Sequence, residues 1–262
     1  MKLLRLPVLL LPAIIQAATY EVGPDKTLAS PNDVPWESLA AGDEVHIHWQ
    51  AEPYRAKWVI CRQGTADKPI VVRGVSGPGG QQPVISGANA KTRRQLDFWG
   101  DERSLIKIGG ASRPADTEPA HIVIENLDLQ GAHIGNQFVD NKGRTHAYTH
   151  HAASIYIEKG HNITLRDCTI RNSGNGLMTS HRSRNILVER CHIHSNGNSK
   201  SIYHHNVYTE SLNITFRNNR LCLLKKGAGG NNLKDRSAGL KVLENTIYGG
   251  NRQLDLVDAE DS

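Results

Sequence analysis

Short stretches in the second half of the chain alternate apolar and polar residues and recur in the same internal order. Each runs apolar, variable, apolar, charged, polar: IVIEN at 122–126, ITLRD at 163–167, ILVER at 186–190, ITFRN at 214–218 and KVLEN at 241–245. Alternation with a period of two predicts strands with one buried face. The recurrence predicts that these strands stack as equivalent rungs of an internal repeat.

A second set of predicted strands lies upstream of these segments, and its members align with one another from one repeat to the next. Its members are IYIE at 155–158, LMTS at 177–180, VYTE at 207–210, LKDR at 233–236 and LDLV at 254–257. The spacing of about 25 residues per turn is too short for helix-pair repeats, and the frame of leucine-rich repeats is missing. The connections are rich in Gly and Asn, which favour tight turns. The sequence therefore predicts an all-β protein, a single-stranded parallel β-helix.

The first half carries weaker signals of the same kind. Strands are predicted within 39–48, 69–73 and 83–86, and a loop at 111–120. The interval from Ile124 to Leu165 exceeds the next interval by roughly 18 residues, which predicts an insertion at 131–152. A substrate-binding loop and a disordered bulge are equally good interpretations of this insertion, which contains His133, His146, Tyr148, His150 and His151.

The N-terminus predicts export. Residues 1–18 begin with Lys2 and Arg5, continue with an apolar run and end on small residues, the pattern of a cleavable secretory signal. The run is too short to span a bilayer, although a buried strand or a retained anchor is the alternative. We expect a secreted or periplasmic bacterial protein with no membrane span after cleavage. Its single β-helix domain covers 19–262, with 19–60 as the N-terminal cap region.

The charge pattern and the aromatic content bear on which partners the chain could bind. The net charge of +5 includes the two cations of the signal, basic and acidic residues are interspersed, and aromatics make up only 5%. Nucleic-acid binding is therefore not expected, and we predict a monomer.

Cys168 and Cys191 recur one coil apart with parallel Cβ directions, which disfavours a disulfide. Cys61 and Cys222 lack evident partners, so free thiols are expected.

The second set of strands also predicts which side chains point outward together. Because the first residue of each of these strands points inward, the second and fourth residues should point outward and form two rows along the coil. The first row is Tyr156, Met178, Tyr208, Lys234 and Asp255, and the second is Glu158, Ser180, Glu210, Arg236 and Val257. Adjacent rungs are about 4.8 Å apart. Lys234 should therefore lie between Tyr208 and Asp255, and Arg236 beside Glu210.

These rows predict proton-transfer chemistry. A lysine close to an arginine can act as a free amine that abstracts a carbon-bound proton. The arginine would neutralise a uronate carboxylate and stabilise the enolate. Tyr208, His204 or His205 would protonate the leaving glycosidic oxygen, which completes a β-elimination. The alternative is a solvated ladder of alternating charges.

The sequence gives fewer indications of which residues contact the substrate and of whether a metal is bound. We expect the acidic polysaccharide to contact His151, Tyr156, His204, Glu210 and Asp255. The adjacent His204 and His205 could also bind a transition metal, but neighbouring strand residues point in opposite directions. Calcium is the one cofactor that the carboxylates suggest, through Asp255, Asp258, Glu260 and Asp261 with Glu210, although their spacing matches no EF-hand loop. The sequence assigns no metal site.

Several blocks resemble a known family. The repeat register, the GDEV motif at 42–45 and the blocks GNNLKDRSAG at 230–239 and GNRQLDLVD at 250–258 resemble bacterial right-handed parallel β-helix repeat proteins described as polysaccharide-degrading. The chain is also similar to β-helical polysaccharide lyases, which include chondroitinase B and alginate lyases. The resemblance implies a pectin lyase-like fold, with Lys234 as the base and either Arg236 or Arg252 as the arginine.

Three other functions stay open. A glycoside hydrolase would need two carboxylates, for which Asp255 and Asp258 are the candidates. A uronate epimerase would share the proton abstraction, and a non-catalytic β-helix would only bind glycan or serve as a structural protein. The chain stops at Asp261 and Ser262 just after a predicted strand, without the cap that solenoids need. We therefore expect a member that lacks C-terminal coils, which could make it inactive.

Overall fold

The computed structural model describes residues 17–258, and these residues wind into a coil built from three sheets. Strands are numbered in chain order. Sheet 1 contains β1 (Thr19–Val22), β2 (Glu44–His48), β4 (Ile70–Val75), β10 (Ala120–Glu125), β15 (Gly160–Arg166), β18 (Ser183–Glu189), β21 (Leu212–Arg217) and β24 (Lys241–Leu243). Sheet 2 contains β5 (Val84–Ser86), β11 (Asp128–Gln130), β16 (Thr169–Arg171), β19 (His192–His194), β22 (Arg220–Leu221) and β25 (Thr246–Ile247).

Sheet 3 is the largest and forms the third side of the coil. Its strands are β3 (Ala56–Ile60), β6 (Ala90–Thr92), β8 (Ser104–Ile108), β12 (Gln137–Val139), β13 (Thr145–Ala147), β14 (Ala153–Ile157), β17 (Asn175–Thr179), β20 (Val207–Thr209), β23 (Leu233–Asp235) and β26 (Leu254–Leu256). A small antiparallel pair joins β7 (Asp97–Phe98) to β9 (Ala111–Arg113). Three short 3-10 helices lie at Pro31–Asp33, Trp36–Ser38 and Asp101–Arg103.

The strand register confirms the parallel β-helix. In sheet 1, parallel pairing aligns Ile122, Ile163, Ile186 and Ile214. In sheet 3, it aligns Ile155, Leu177, Val207, Leu233 and Leu254. All of these side chains are buried except Leu254, because successive inward positions stack into one continuous apolar core.

The polar residue that ends each sheet 1 repeat has a conformational reason. Asn126, Asp167, Arg190 and Asn218 all have φ between 50° and 56°, in the left-handed region. This conformation turns the chain from sheet 1 into sheet 2, and Asn and Asp tolerate it better than most residues. The recurring final position of the sequence pattern is therefore a corner of the coil.

Two predictions about local structure are wrong. Lys241 pairs with Thr215 rather than with Ile214, so the last rung is shifted by one residue, and Glu244 instead of Asn245 takes the left-handed corner. A shift of one residue exchanges the two faces of a strand, and Leu240 and Val242 pack towards the core. The segment 111–120 is not all loop, since β9 lies within it.

The insertion at 131–152 forms a hairpin that extends sheet 3. Its strands β12 and β13 pair with each other in antiparallel fashion, and β12 also joins β6. The hairpin buries Lys57, whose Nζ lies 3.3 Å from the centroid of the Phe138 ring. Burial lowers the pKa of Lys57 to about 7. The insertion is thus an ordered cover over the N-terminal part of sheet 3.

The remaining predictions concern the cysteines and the N-terminus. All four cysteines are buried free thiols, as expected. Most of the predicted signal, residues 1–16, lies outside the described residues, whereas the amide of Ala18 donates to Asp43 at 2.8 Å. Within residues 17–258, no helix is long and apolar enough to cross a membrane.

Candidate active site

The predicted outward row exists and passes through a pocket on sheet 3. Pairing along sheet 3 places Tyr208 beside Lys234, and Lys234 beside Asp255. The pocket has a volume of about 450 Å³. Its lining consists of His151, Ile202, Tyr203, His205, Tyr208, Asn231, Lys234, Arg236, Asn251, Arg252 and Asp255. Seven of the ten predicted site residues therefore line one pocket.

Asp255 organises the cations of this pocket. Its carboxylate accepts hydrogen bonds from Lys234 Nζ at 3.2 Å, from Arg252 at 2.5 Å and from the side-chain amide of Asn231 at 2.7 Å. Burial alone would raise the pKa of Asp255, but the hydrogen bonds from Arg252 and Lys234 outweigh it and hold the pKa below its usual value. Asp255 is therefore an anion that positions Lys234.

His205 contributes a neutral ring to the pocket wall. Burial, reinforced by the positive charge of Lys234, lowers the pKa of His205 to about 4. Its Nδ1 accepts the backbone amide of Asn231 at 2.9 Å, so the neutral ring carries its proton on Nε2. The imidazole packs edge-on against Tyr208, with ring centroids 5.8 Å apart. His205 is thus a hydrogen-bond donor at neutral pH rather than a base.

Arg236 and Arg252 enter the pocket from different coils. Arg236 lies two residues after Lys234 on the same coil, and it donates to the backbone carbonyl of Asp258 at 3.3 Å. The Arg252 side chain is 63% exposed and lies on the next coil, where it reaches Asp255 three residues further along. Arg236 and Arg252 therefore outnumber the single carboxylate among the described lining residues, which gives the pocket a positive balance.

Three predicted substrate contacts lie outside the pocket lining. Tyr156 is in the same outward row, but it is buried beneath Arg103, whose guanidinium lies 5.1 Å from the ring centroid. Glu210 donates its backbone amide to Thr179 at 2.9 Å. His204 packs against His151, with ring centroids 4.9 Å apart. Both adjacent histidines precede β20, so the alternation of side chains along a strand does not apply to them.

The carboxylates form no calcium cage in the described part of the chain. Among residues 17–258, no group of three or more His, Cys, Asp or Glu side chains is arranged to hold a metal ion. Glu260 and Asp261 lie beyond the described residues. The oxygens of Asp255 already accept protein hydrogen bonds, so Asp255 is not placed as an open calcium ligand.

Sequence reasoning missed four of the lining residues. Asn231 and Asn251 belong to turns, and Ile202 and Tyr203 belong to the connection between β19 and β20. None of them lies in a strand, so the alternating pattern carries no information about where they point. The one available signal was the pair of large apolar residues inside a polar connection.

Comparisons with known proteins agree with this architecture. Residues 114–259 match the family described as "Right handed beta helix region". The fold is similar to an alginate lyase from Paenibacillus sp. str. FPU-7, with a TM-score of 0.56 and 12% identity over 80% of this chain and 61% of that one. It is also similar to a rhamnogalacturonan lyase, with a TM-score of 0.52 and 13% identity over 85% of this chain and 63% of that one.

These similarities define the fold and leave the activity open. The chain spans about three fifths of the length of both lyases, and the identities are low. No curated protein is a significant match by sequence. The likeness shows the fold alone, and the chemistry must be argued from the site itself.

Proposed function

The chain belongs to the right-handed β-helix family, and we propose that it is an exported polysaccharide lyase that cleaves a uronate-containing polysaccharide by β-elimination. The single observation that carries the proposal is the stacking of Tyr208, Lys234 and Asp255 on three adjacent coils, at the floor of a pocket that Arg236 and Arg252 also line. A general base, a proton donor and carboxylate-binding cations are thereby brought within one sugar-sized cavity.

The charge of the pocket selects the substrate class. Arg236 and Arg252 contribute two permanent positive charges, and Asp255 is the sole carboxylate among the described lining residues. A uronate carboxylate would complement the excess positive charge. Because the Arg252 side chain is largely exposed, it can contact a substrate carboxylate while Asp255 continues to hold Lys234.

Each step of the elimination has a residue in place. Lys234, as the free amine, removes the proton on C5 of the uronate, and the electron pair moves into the carboxyl group as an enolate. Arg252 or Arg236 neutralises the developing charge. The C4–O bond then breaks, a C4–C5 double bond forms, and Tyr208 transfers its proton to the leaving oxygen.

The pocket disfavours hydrolysis. Glycoside hydrolases need two carboxyl groups on either side of the scissile bond. Asp255 has no second carboxylate opposite it among the described lining residues, and its own oxygens are held by Lys234, Arg252 and Asn231. Epimerisation shares only the first step and would leave the glycan chain intact.

The test is an assay of the purified protein on alginate, polygalacturonate, chondroitin sulfate and dermatan sulfate, with calcium or with a chelator. We expect ultraviolet absorbance from an unsaturated uronate to rise on at least one polymer. Inversion at C5, seen by NMR without chain cleavage, would replace the lyase with an epimerase. A folded protein that binds a polymer but leaves it unchanged would make this a glycan-binding β-helix.

A further inference from the structure

Two adjacent apolar side chains form the outer wall of the pocket. Ile202 and Tyr203 are 62% and 70% exposed, although both line the cavity that contains Lys234. Tyr203 is the most exposed large hydrophobic residue in the described chain. Contiguous exposed apolar surface at the mouth of a pocket typically marks a binding surface.

The exposure is imposed by an anchored turn. The amide of Lys200 donates to the carbonyl of Gly227 at 2.8 Å, and the amide of Gly229 donates to the carbonyl of Ser201 at 2.9 Å. A Cβ on Gly229 would lie only 3.2 Å from Ile202, so the next coil supports this turn directly. The turn therefore holds Ile202 and Tyr203 outward instead of letting them fold into the core.

The same pocket also has a cationic lining. Arg236 and Arg252 present positive charge, while Tyr203 and Ile202 present an apolar surface. A uronate ring has the matching two-sided character, with a carboxylate on one edge and C–H groups on its faces. Of the two tyrosines in the pocket lining, Tyr203 is the exposed one, since Tyr208 is partly buried.

We propose that Tyr203, supported by Ile202, is the platform on which a uronate ring packs while its carboxylate pairs with the arginines. Tyr203 is then a specificity-determining residue that holds the sugar and transfers no proton. The identity of the sugar rests on the proposed function, whereas the packing on an aromatic ring does not.

The experiment compares Tyr203→Ala, Tyr203→Phe and Tyr248→Ala. Tyr248 is the matched control, because it is a partly exposed tyrosine at the end of sheet 2 that is absent from the pocket lining. We expect Tyr203→Ala to raise KM about tenfold with kcat nearly unchanged, the signature of lost uniform binding. Tyr203→Phe keeps the ring and should remain within about twofold of the wild type, as should Tyr248→Ala.

Equilibrium binding separates this proposal from the lyase proposal. Calorimetric titration of tetrasaccharides from alginate, polygalacturonate, chondroitin sulfate and dermatan sulfate should show, for each one that binds, a dissociation constant about tenfold weaker for Tyr203→Ala. The same loss in a protein without turnover would support the platform and overturn the lyase. An active enzyme whose KM and binding are unaffected by Tyr203→Ala would overturn the platform alone. Absence of binding to every tetrasaccharide would overturn both.

Discussion

Lys107 and Lys234 occupy the same outward row of sheet 3. Parallel pairing runs from Lys107 through Tyr156, Met178 and Tyr208 to Lys234. Each lysine is next to a tyrosine and each has a carboxylate partner. Lys107 pairs with Glu158 at 2.6 Å, and Lys234 pairs with Asp255 at 3.2 Å. By strand position alone, the two lysines are equivalent.

What differs is the cover over each lysine. Lys107 is 1% exposed and donates to the backbone carbonyls of Trp99 and Gly110, which belong to the segment that carries β7 and β9. Burial lowers the pKa of Lys107, although Glu158 opposes this. The Lys234 side chain is 21% exposed and lines an open pocket. The same row of the coil is therefore buried under a cover at one end and open to a pocket at the other.

The largest expected effect is on turnover at Lys234. Lys234→Ala should lower kcat by about 100-fold or more, because it removes the base. The free energy of unfolding should change by less than about 1 kcal/mol, as is typical for a partly exposed ion pair. Rates of unsaturated product formation and urea denaturation measure the two effects. Lys234→Arg is the matched control for charge, and full activity of that variant would contradict the role of base.

At Lys107 we expect the opposite pattern, a loss of stability rather than of turnover. Lys107→Met should destabilise the fold by about 3 kcal/mol, because it leaves Glu158 without its cation inside the cover. Adding Glu158→Gln should recover part of this loss. Urea denaturation measures the stability of both variants. If Lys107→Met lowered kcat and left stability unchanged, the contrast between the covered and the open lysine would be wrong.

A substitution at Tyr208 tests the chemistry proposed for the open pocket around Lys234. Tyr208→Phe removes the proton donor but keeps the ring against His205, so kcat should fall by about 100-fold while KM changes little. The separate measurement of kcat and KM distinguishes a proton donor from a packing residue. A rise in KM with unchanged kcat would reassign Tyr208 to sugar binding.

The rows of the coil could be predicted from sequence because their inward positions are strongly apolar. Val207, Leu233 and Leu254 fix the register of β20, β23 and β26, and the outward neighbours follow from alternation. The last rung of sheet 1 was misplaced because Lys241 interrupts the apolar pattern. An alignment shifted by one residue, with Leu240 and Val242 pointing inward, fits the pattern equally well, and it is the one that the structure adopts.

The covers and walls could not be predicted in the same way. Tyr156 was expected to contact substrate, yet Arg103 and the surrounding loops bury it. The turn that presents Tyr203 is held by hydrogen bonds to the following coil, and no local periodicity encodes them. Long-range packing of irregular segments decides which part of a regular row is accessible.

The smallest expected effect concerns His205 and acid stability. The pKa of His205 falls from 6.5 to about 4 in the fold, so the unfolded chain binds more protons between these values. Its contribution is full above about pH 6.5 and is lost as the pH falls towards about 4. Urea denaturation at several pH values should therefore show a weaker acid-side loss for His205→Gln than for the wild type. Parallel profiles for the wild type and His205→Gln would contradict the burial of a neutral imidazole beside Lys234.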